Sequence, residues 1–184
     1  MEYKIKVRED LELREIDVHQ YKTLYNLVIE NKEYLGAFLP WVHFISIPEE
    51  YIETLEEWKK GNEETSMLTL GIYHFDRLIG LCGFNIINRM NKSAEIGYWL
   101  SKDATGQGIM TSCVHKLMAF GYDILGLNRI TIIVDIENKQ SYKIPERLLF
   151  TKECQMKEYF FRDNQLFDGY LYRMTKEEWE INKS

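Results

Sequence analysis

The chain has 184 residues, 45% of them hydrophobic and 14% aromatic, so it can bury a sizeable core as one domain spanning 1–184, and disorder is not the default reading. A formal net charge of -6 leaves no global basic field, which argues against DNA or RNA as the primary partner. Three widely separated cysteines without CxxC spacing, no signal-peptide core and no apolar run of membrane length point to a soluble, cytoplasmic chain with reduced thiols, no zinc or other metal site and no membrane contact.

Elements read off in chain order begin with LELREI, residues 11–16, which alternates apolar and charged side chains as a half-buried strand does. Asp17, with Gln20 three residues on, forms a capping box that predicts a helix over 18–31. After the apolar cluster around Pro40, Pro48 opens a second amphipathic helix to about Lys60. From Met67 the pattern changes to MLTLGIY, RLIGLCGFNII and AEIGYWL, three successive strands with HFDR and NRMNK as turns. Val114, Leu117, Met118, Gly121, Ile124 and Leu125 then recur at helical spacing, and RITIIVD is a nearly continuous apolar strand, as expected where both sheet faces are covered. A short helix near 140–149, two alternating strands (CQMKEYFF and LFDGYLYRM) and a final helix boxed by Thr175 and Glu178 complete the chain. The expected fold class is mixed α/β (α+β), with a mostly antiparallel sheet flanked by helices, distinct from a doubly wound Rossmann sheet.

Between AEIGYWL and the following helix, Gly106 and Gly108 stand one residue apart. A strand that passes through such a turn into a helix presents unpaired N–H groups and the positive end of the helix dipole, which suits a phosphate. On the glycines alone, a turn that needs only positive φ is the first reading. Thr111 breaks GxGxxG, and Ile109-Met110 stands where a P-loop requires Lys-Ser/Thr, so dinucleotide and nucleoside-triphosphate loops do not fit.

Six segments together resemble the GNAT superfamily of acetyl-CoA-dependent N-acetyltransferases, in the branch acting on ribosomal-protein N-termini. They are Leu39-Pro-Trp-Val42, Ser93 to Leu100, Gly106-Gln-Gly-Ile-Met-Thr111, Leu127-Asn-Arg-Ile130, Asn138-Lys-Gln-Ser141 and Pro145-Glu-Arg-Leu148. The chain departs from the family at four places. Thr105 and Met110 stand at the ends of the general pyrophosphate-loop pattern, and Leu149 and Cys154 replace glycines that would supply positive φ at and beyond the end of the fourth helix.

The resemblance implies acetyl-CoA as co-substrate, lying in a V between AEIGYWL and RITIIVD. The backbones of Tyr98, Trp99 and Leu100 would bind the pantetheine, and the amides of Gly106, Gln107, Gly108, Ile109, Met110 and Thr111 would cradle the pyrophosphate. It also implies direct attack of an amine in a ternary complex. Glu95, the lone acid of its strand, is the candidate base, with a solvent-facing residue as the alternative. Asn138 and Ser141 match the cofactor-contacting pair, Ser141 being the candidate acid for the thiolate, with a helix cap as the rival role for both. Pro145 cannot donate to the Ser141 carbonyl, which is expected to be free. Trp41 lines or covers the acceptor site, unless it is a structural staple, and the acidic run from Glu49 to Glu57 reads first as a solvated helix face. A covalent cysteine route through Cys113 or Cys154 lacks a histidine partner, and His43 and His74 read as surface residues. The acceptor is expected to be a protein N-terminal amine, with a polyamine or aminoglycoside, or a non-catalytic CoA-binding module, as alternatives; a homodimer is left open.

Overall fold

The computed structural model describes residues 3–182. Its eight strands are β1 (Lys4–Arg8), β2 (Leu11–Arg14), β3 (Leu68–His74), β4 (Arg77–Asn88), β5 (Ser93–Leu100), β6 (Arg129–Asp135), β7 (Thr151–Arg162) and β8 (Gln165–Thr175). They form one sheet in the order β1-β2-β3-β4-β5-β6-β8-β7. Every neighbouring pair is antiparallel except β5 and β6. The helices are α1 (Tyr21–Glu30), α2 (Lys32–Gly36), α3 (Glu50–Glu64), α4 (Ile109–Asp123), α5 (Lys139–Arg147) and α6 (Lys176–Asn182). Strand β1 escapes the sequence reading because it is a five-residue edge strand whose one inward face carries only Ile5 and Val7, half-buried, so its lysines and arginine read as a polar lead-in.

Two cores lie on the two faces of the sheet. On one, α4 buries Ile109, Cys113, Val114, Leu117 and Met118 against Leu70, Phe84, Ile96, Ile130 and Ile132, with Trp179 of α6 closing the end. On the other, α1, α2 and α3 bury Leu24, Val28, Leu35, Tyr51 and Leu55 against Leu81 and Trp99. Each large aliphatic side chain so buried stabilises the fold by roughly 1.5–3 kcal/mol. The Asp17 capping box forms as expected, but it opens a 3-10 turn that runs into α1. The helix expected over 18–31 therefore ends at Glu30, and a separate short helix, α2, follows. The second helix runs past Lys60 to Glu64 and ends on Thr65 in the left-handed region.

Leu149 resolves the doubtful end of α5. It adopts φ +62°. Its N–H donates to the Glu146 carbonyl at 3.1 Å, and the Phe150 N–H donates to that of Pro145 at 2.9 Å, the paired bonds of a Schellman cap. The helix thus ends as a glycine-capped helix does, with an exposed leucine carrying the left-handed backbone. Leu149→Gly is expected to stabilise the protein by about 1 kcal/mol, read as a higher urea midpoint with the slope unchanged. The expectation for Cys154 fails: it has no positive φ, because a bulge between Lys152 and Cys154 absorbs the extra residue of β7.

The β7–β8 hairpin is fastened by Asp168, which accepts from Lys157 Nζ at 2.7 Å, Gln155 Nε2 at 2.6 Å and the Glu158 N–H at 3.0 Å. These donors, Lys157 foremost, hold its carboxyl down to about 2. Because the folded value lies below the ordinary one, the stabilisation is present above about pH 4 and is lost as the pH falls towards 2. Over that window, urea midpoints should fall more shallowly in Asp168→Asn than in the unsubstituted protein.

Candidate active site

Strands β5 and β6 pair only at Ser93–Arg129, Ala94–Ile130 and Glu95–Thr131, and then part. The Thr131 hydroxyl, donating to the Ala94 carbonyl at 3.3 Å, marks the place. Beyond it lies a cavity of about 730 Å³, walled by Ile96 to Trp99 on one side and Ile132 to Asp135 on the other. The phase of the β4–β5 ladder is set by the Ser101 N–H, which donates to the Ile79 carbonyl at 2.8 Å. Main-chain groups alternate along a strand, so those of Gly97 and Trp99 turn to β4, whereas those of Ile96, Tyr98 and Leu100 face the gap. This corrects the expectation for Trp99. Its ring is core under α1 and α3, and its backbone belongs to the ladder, leaving Tyr98 and Leu100 to offer amides and carbonyls.

Just past β5, a 3-10 turn (Lys102–Ala104) leads into the glycine loop. Gly106 and Gly108 have φ +77° and +72°, and a Cβ at either would meet nothing within 4 Å. Glycine is therefore required there by backbone conformation, and the space in front of the loop is open. Among the described residues the N–H groups from Gly106 to Thr111 find no acceptor; the first bond of α4 is from the Ser112 N–H to the Gly108 carbonyl. Six donors, Gly106, Gln107, Gly108, Ile109, Met110 and Thr111, thus lie at a 15-residue helix's positive end, suited to a pyrophosphate. Thr105 at the head of the loop spends its hydroxyl on the Lys102 carbonyl at 2.8 Å.

Side chains reach the cavity from both faces of the sheet. Glu95 shares its face of β5 with Gly97 and Trp99, the face covered by α1 and α3. It is half-buried and lines the cavity. Asn85, the extra residue of a bulge between Phe84 and Ile86, lies over Gly97 and brings Nδ2 to 3.5 Å from Glu95 Oε1. Only glycine permits this, because a Cβ at 97 would stand 2.4 Å from Asn85 Oδ1. Trp41 lines the same side, 39% exposed, from a 3-10 turn (Pro40–His43), with Phe38, Tyr51 and Trp58 around it. Tyr159 and Phe160 of β7 complete the lining.

From the other face come Tyr98, Asn138 and Ser141. Asn138 caps α5, its Oδ1 accepting from the Ser141 N–H at 3.1 Å, so the cap role is real and one of its side-chain atoms is spent on it. The Ser141 carbonyl, expected to be free above Pro145, instead accepts from the Tyr98 hydroxyl at 3.0 Å. The Ser141 hydroxyl donates back to the Tyr98 oxygen at 3.2 Å. Burial pushes the Tyr98 phenol up, so it stays protonated.

Four contributors escaped the sequence: Asn85, the Tyr98 hydroxyl, Tyr159, and Asp135, which is buried beside Arg162 of β7 at 3.1 Å. Only the phenol left a signal, through the missing N–H of Pro145. The remaining candidates fall away. Cys113 is buried and its thiol is pushed up to about 12, too high for a ready nucleophile; Cys154 is on exposed β7 and does not line the cavity. His74 is half-buried against Asp10 at 2.7 Å. Among the described residues no cluster of His, Cys, Asp and Glu is arranged to hold a metal ion, and no helix is long and apolar enough to cross a membrane.

Known proteins share this architecture. The acetyltransferase (GNAT) domain family matches residues 10–151. The ribosomal-protein-serine acetyltransferase of Escherichia coli (strain K12) is 33% identical over 168 residues, 91% of this chain and 94% of that one. The solved structure of RimL, the ribosomal L7/L12 alpha-N-protein acetyltransferase in complex with coenzyme A, superposes with a TM-score of 0.91 at 29% identity, covering 96% and 99% of the two chains. The microcin C7 self-immunity acetyltransferase MccE, in complex with acetyl-CoA and AMP, superposes at 0.88 with 27% identity, covering 92% and 94%. The chain belongs to the GNAT acetyltransferase family and is an acetyl-CoA-dependent N-acetyltransferase with relatives among the ribosomal-protein acetyltransferases.

Proposed function

We propose that this enzyme acetylates the N-terminal amine of a protein, of the ribosomal-protein type, by direct attack in a ternary complex. The observation that carries the reading is the two-faced cavity, which Glu95 reaches from one side of the sheet and Ser141 from the other where β5 and β6 part. The amine enters on the α1–α3 side, past the apolar rim of Phe38, Trp41 and Ile45. Its nitrogen bonds to the thioester carbonyl carbon, Glu95 or a water it holds takes the surplus proton, and the C–S bond breaks. The departing thiolate takes the Ser141 hydroxyl proton, and solvent restores the serine from the proton released at Glu95. Main-chain donors of Tyr98 and Leu100 and of the 106–111 loop hold the co-substrate. A protein acceptor is supported by the relatives' activities and by the exposed aromatic rim, where Phe44 is 81% exposed beside Trp41.

The non-catalytic module loses its basis, since Leu149 is accommodated in a regular cap and neither it nor Cys154 lines the cavity. The test is release of free CoA thiol with acetyl-CoA and either a ribosomal-protein N-terminal peptide or spermidine, with product mass read in parallel. Acetylation of the peptide α-amine is expected. Turnover confined to spermidine would replace the protein acceptor by a polyamine.

A further inference from the structure

Ser141 has three polar groups, and two of them are held by one side chain. Its N–H is taken by the Asn138 cap. Its carbonyl lacks a helical donor, because residue 145 is proline and carries no N–H. The Tyr98 hydroxyl fills that vacancy at 3.0 Å and in turn receives the Ser141 hydroxyl proton at 3.2 Å. The phenol's single proton is thus committed to the carbonyl, and its oxygen is the acceptor that selects the direction of the serine O–H. Tyr98 stands on β5 and Ser141 on α5, so the pair bridges two elements that both wall the cavity.

We infer that Tyr98 is a positioning residue of the transfer reaction: its phenol holds the first turn of α5 and fixes the side-chain rotamer of Ser141, so that the hydroxyl oxygen stands where rotation about Cβ–Oγ turns its proton to the departing thiolate. This rests on the assignment of Ser141 as proton donor. The phenol itself neither gains nor loses a proton. When the thiolate forms, the serine proton rotates from the Tyr98 oxygen to sulfur, while the Tyr98–carbonyl bond keeps the serine in place. Substitution of the tyrosine by phenylalanine removes both bonds without changing the volume packed against the sheet.

The test has an arm without turnover and an arm with it. In the free protein, amide hydrogen exchange in the first turn of α5 should accelerate in Tyr98→Phe while α4 is unchanged. In turnover, Tyr98→Phe should lower kcat about tenfold at unchanged KM for acetyl-CoA. Ser141→Ala should lower kcat at least as far, and Tyr98→Phe should cost nothing more in that background, as for residues acting through one another. Pro145→Ala supplies a helical N–H for the Ser141 carbonyl. Added to Tyr98→Phe, it should restore α5 protection and leave kcat low, since the hydroxyl still lacks its guide.

Recovery of kcat in that double variant would reduce Tyr98 to a structural tie. An equal tyrosine effect with and without the serine hydroxyl would also overturn the inference, as would unchanged kcat in Tyr98→Phe beside an impaired Ser141→Ala. Full activity of Ser141→Ala would instead remove the serine as proton donor, and the tyrosine role with it, a result distinct from the others.

Discussion

Glu95→Gln is expected to lower kcat by about 10³-fold with little change in KM for acetyl-CoA, the signature of an interaction made only as the amine is attacked. The carboxylate stands where β5 and β6 separate, on the α1–α3 face and away from the Tyr98–Ser141 pair. Glutamine keeps the shape and the neighbour Asn85, whose amide approaches within 3.5 Å, and removes only the capacity to accept a proton. The measurement is steady-state turnover with an N-terminal peptide, alongside CoA affinity by titration. A variant that keeps wild-type kcat would exclude Glu95 as the base. A variant that loses CoA affinity as well would mean that the carboxylate shapes the cofactor site.

The second large effect concerns the glycine loop and can be separated from folding. Gly108→Ala should weaken CoA binding about 100-fold, about 2.7 kcal/mol. The added methyl group would meet no protein atom within 4 Å, so what it can obstruct is a phosphate drawn close to the loop's six unpaired N–H groups. The same substitution also strains a backbone at φ +72°, by about 1–2 kcal/mol. Gly126 is the matched control, because it has φ +66°, equally open surroundings and a place at the far end of α4. Gly126→Ala should lose similar stability in urea and bind CoA normally. If both variants lose CoA affinity alike, the loop effect is strain and not occupation of the phosphate site.

Legibility from sequence followed the physics of each element. β5, β6 and α4 could be read because one strand face is buried and the other half-buried, or one full helical stripe is buried, so apolar residues dominate from Ala94 to Leu100 and from Ile130 to Val134. Glu95 was conspicuous for the same reason, as a charge in a buried strand. β1 does alternate, but only Ile5 and Val7 carry the period and both are half-buried, so five residues of lysine, arginine and two apolar side chains give a weak signal. Asn85 gains its place from a bulge, which depends on cross-strand register that one strand's sequence does not encode. The Tyr98–Ser141 pair spans 43 residues, so Pro145 could announce an unpaired carbonyl without naming its donor. Trp99 was misassigned at the backbone because the direction of main-chain groups is set by the phase of the β4 ladder, and the side-chain pattern is silent on it.

The most direct measurement of the central claim is a crystal structure of the enzyme with coenzyme A. The pantetheine should lie in the gap between β5 and β6, bonded to main-chain groups of Tyr98 and Leu100. The pyrophosphate should accept from the N–H groups of residues 106–111, and the sulfur should stand within hydrogen-bonding reach of the Ser141 hydroxyl. Coenzyme A bound elsewhere, or in the gap with the 106–111 amides left without a phosphate, would contradict the account.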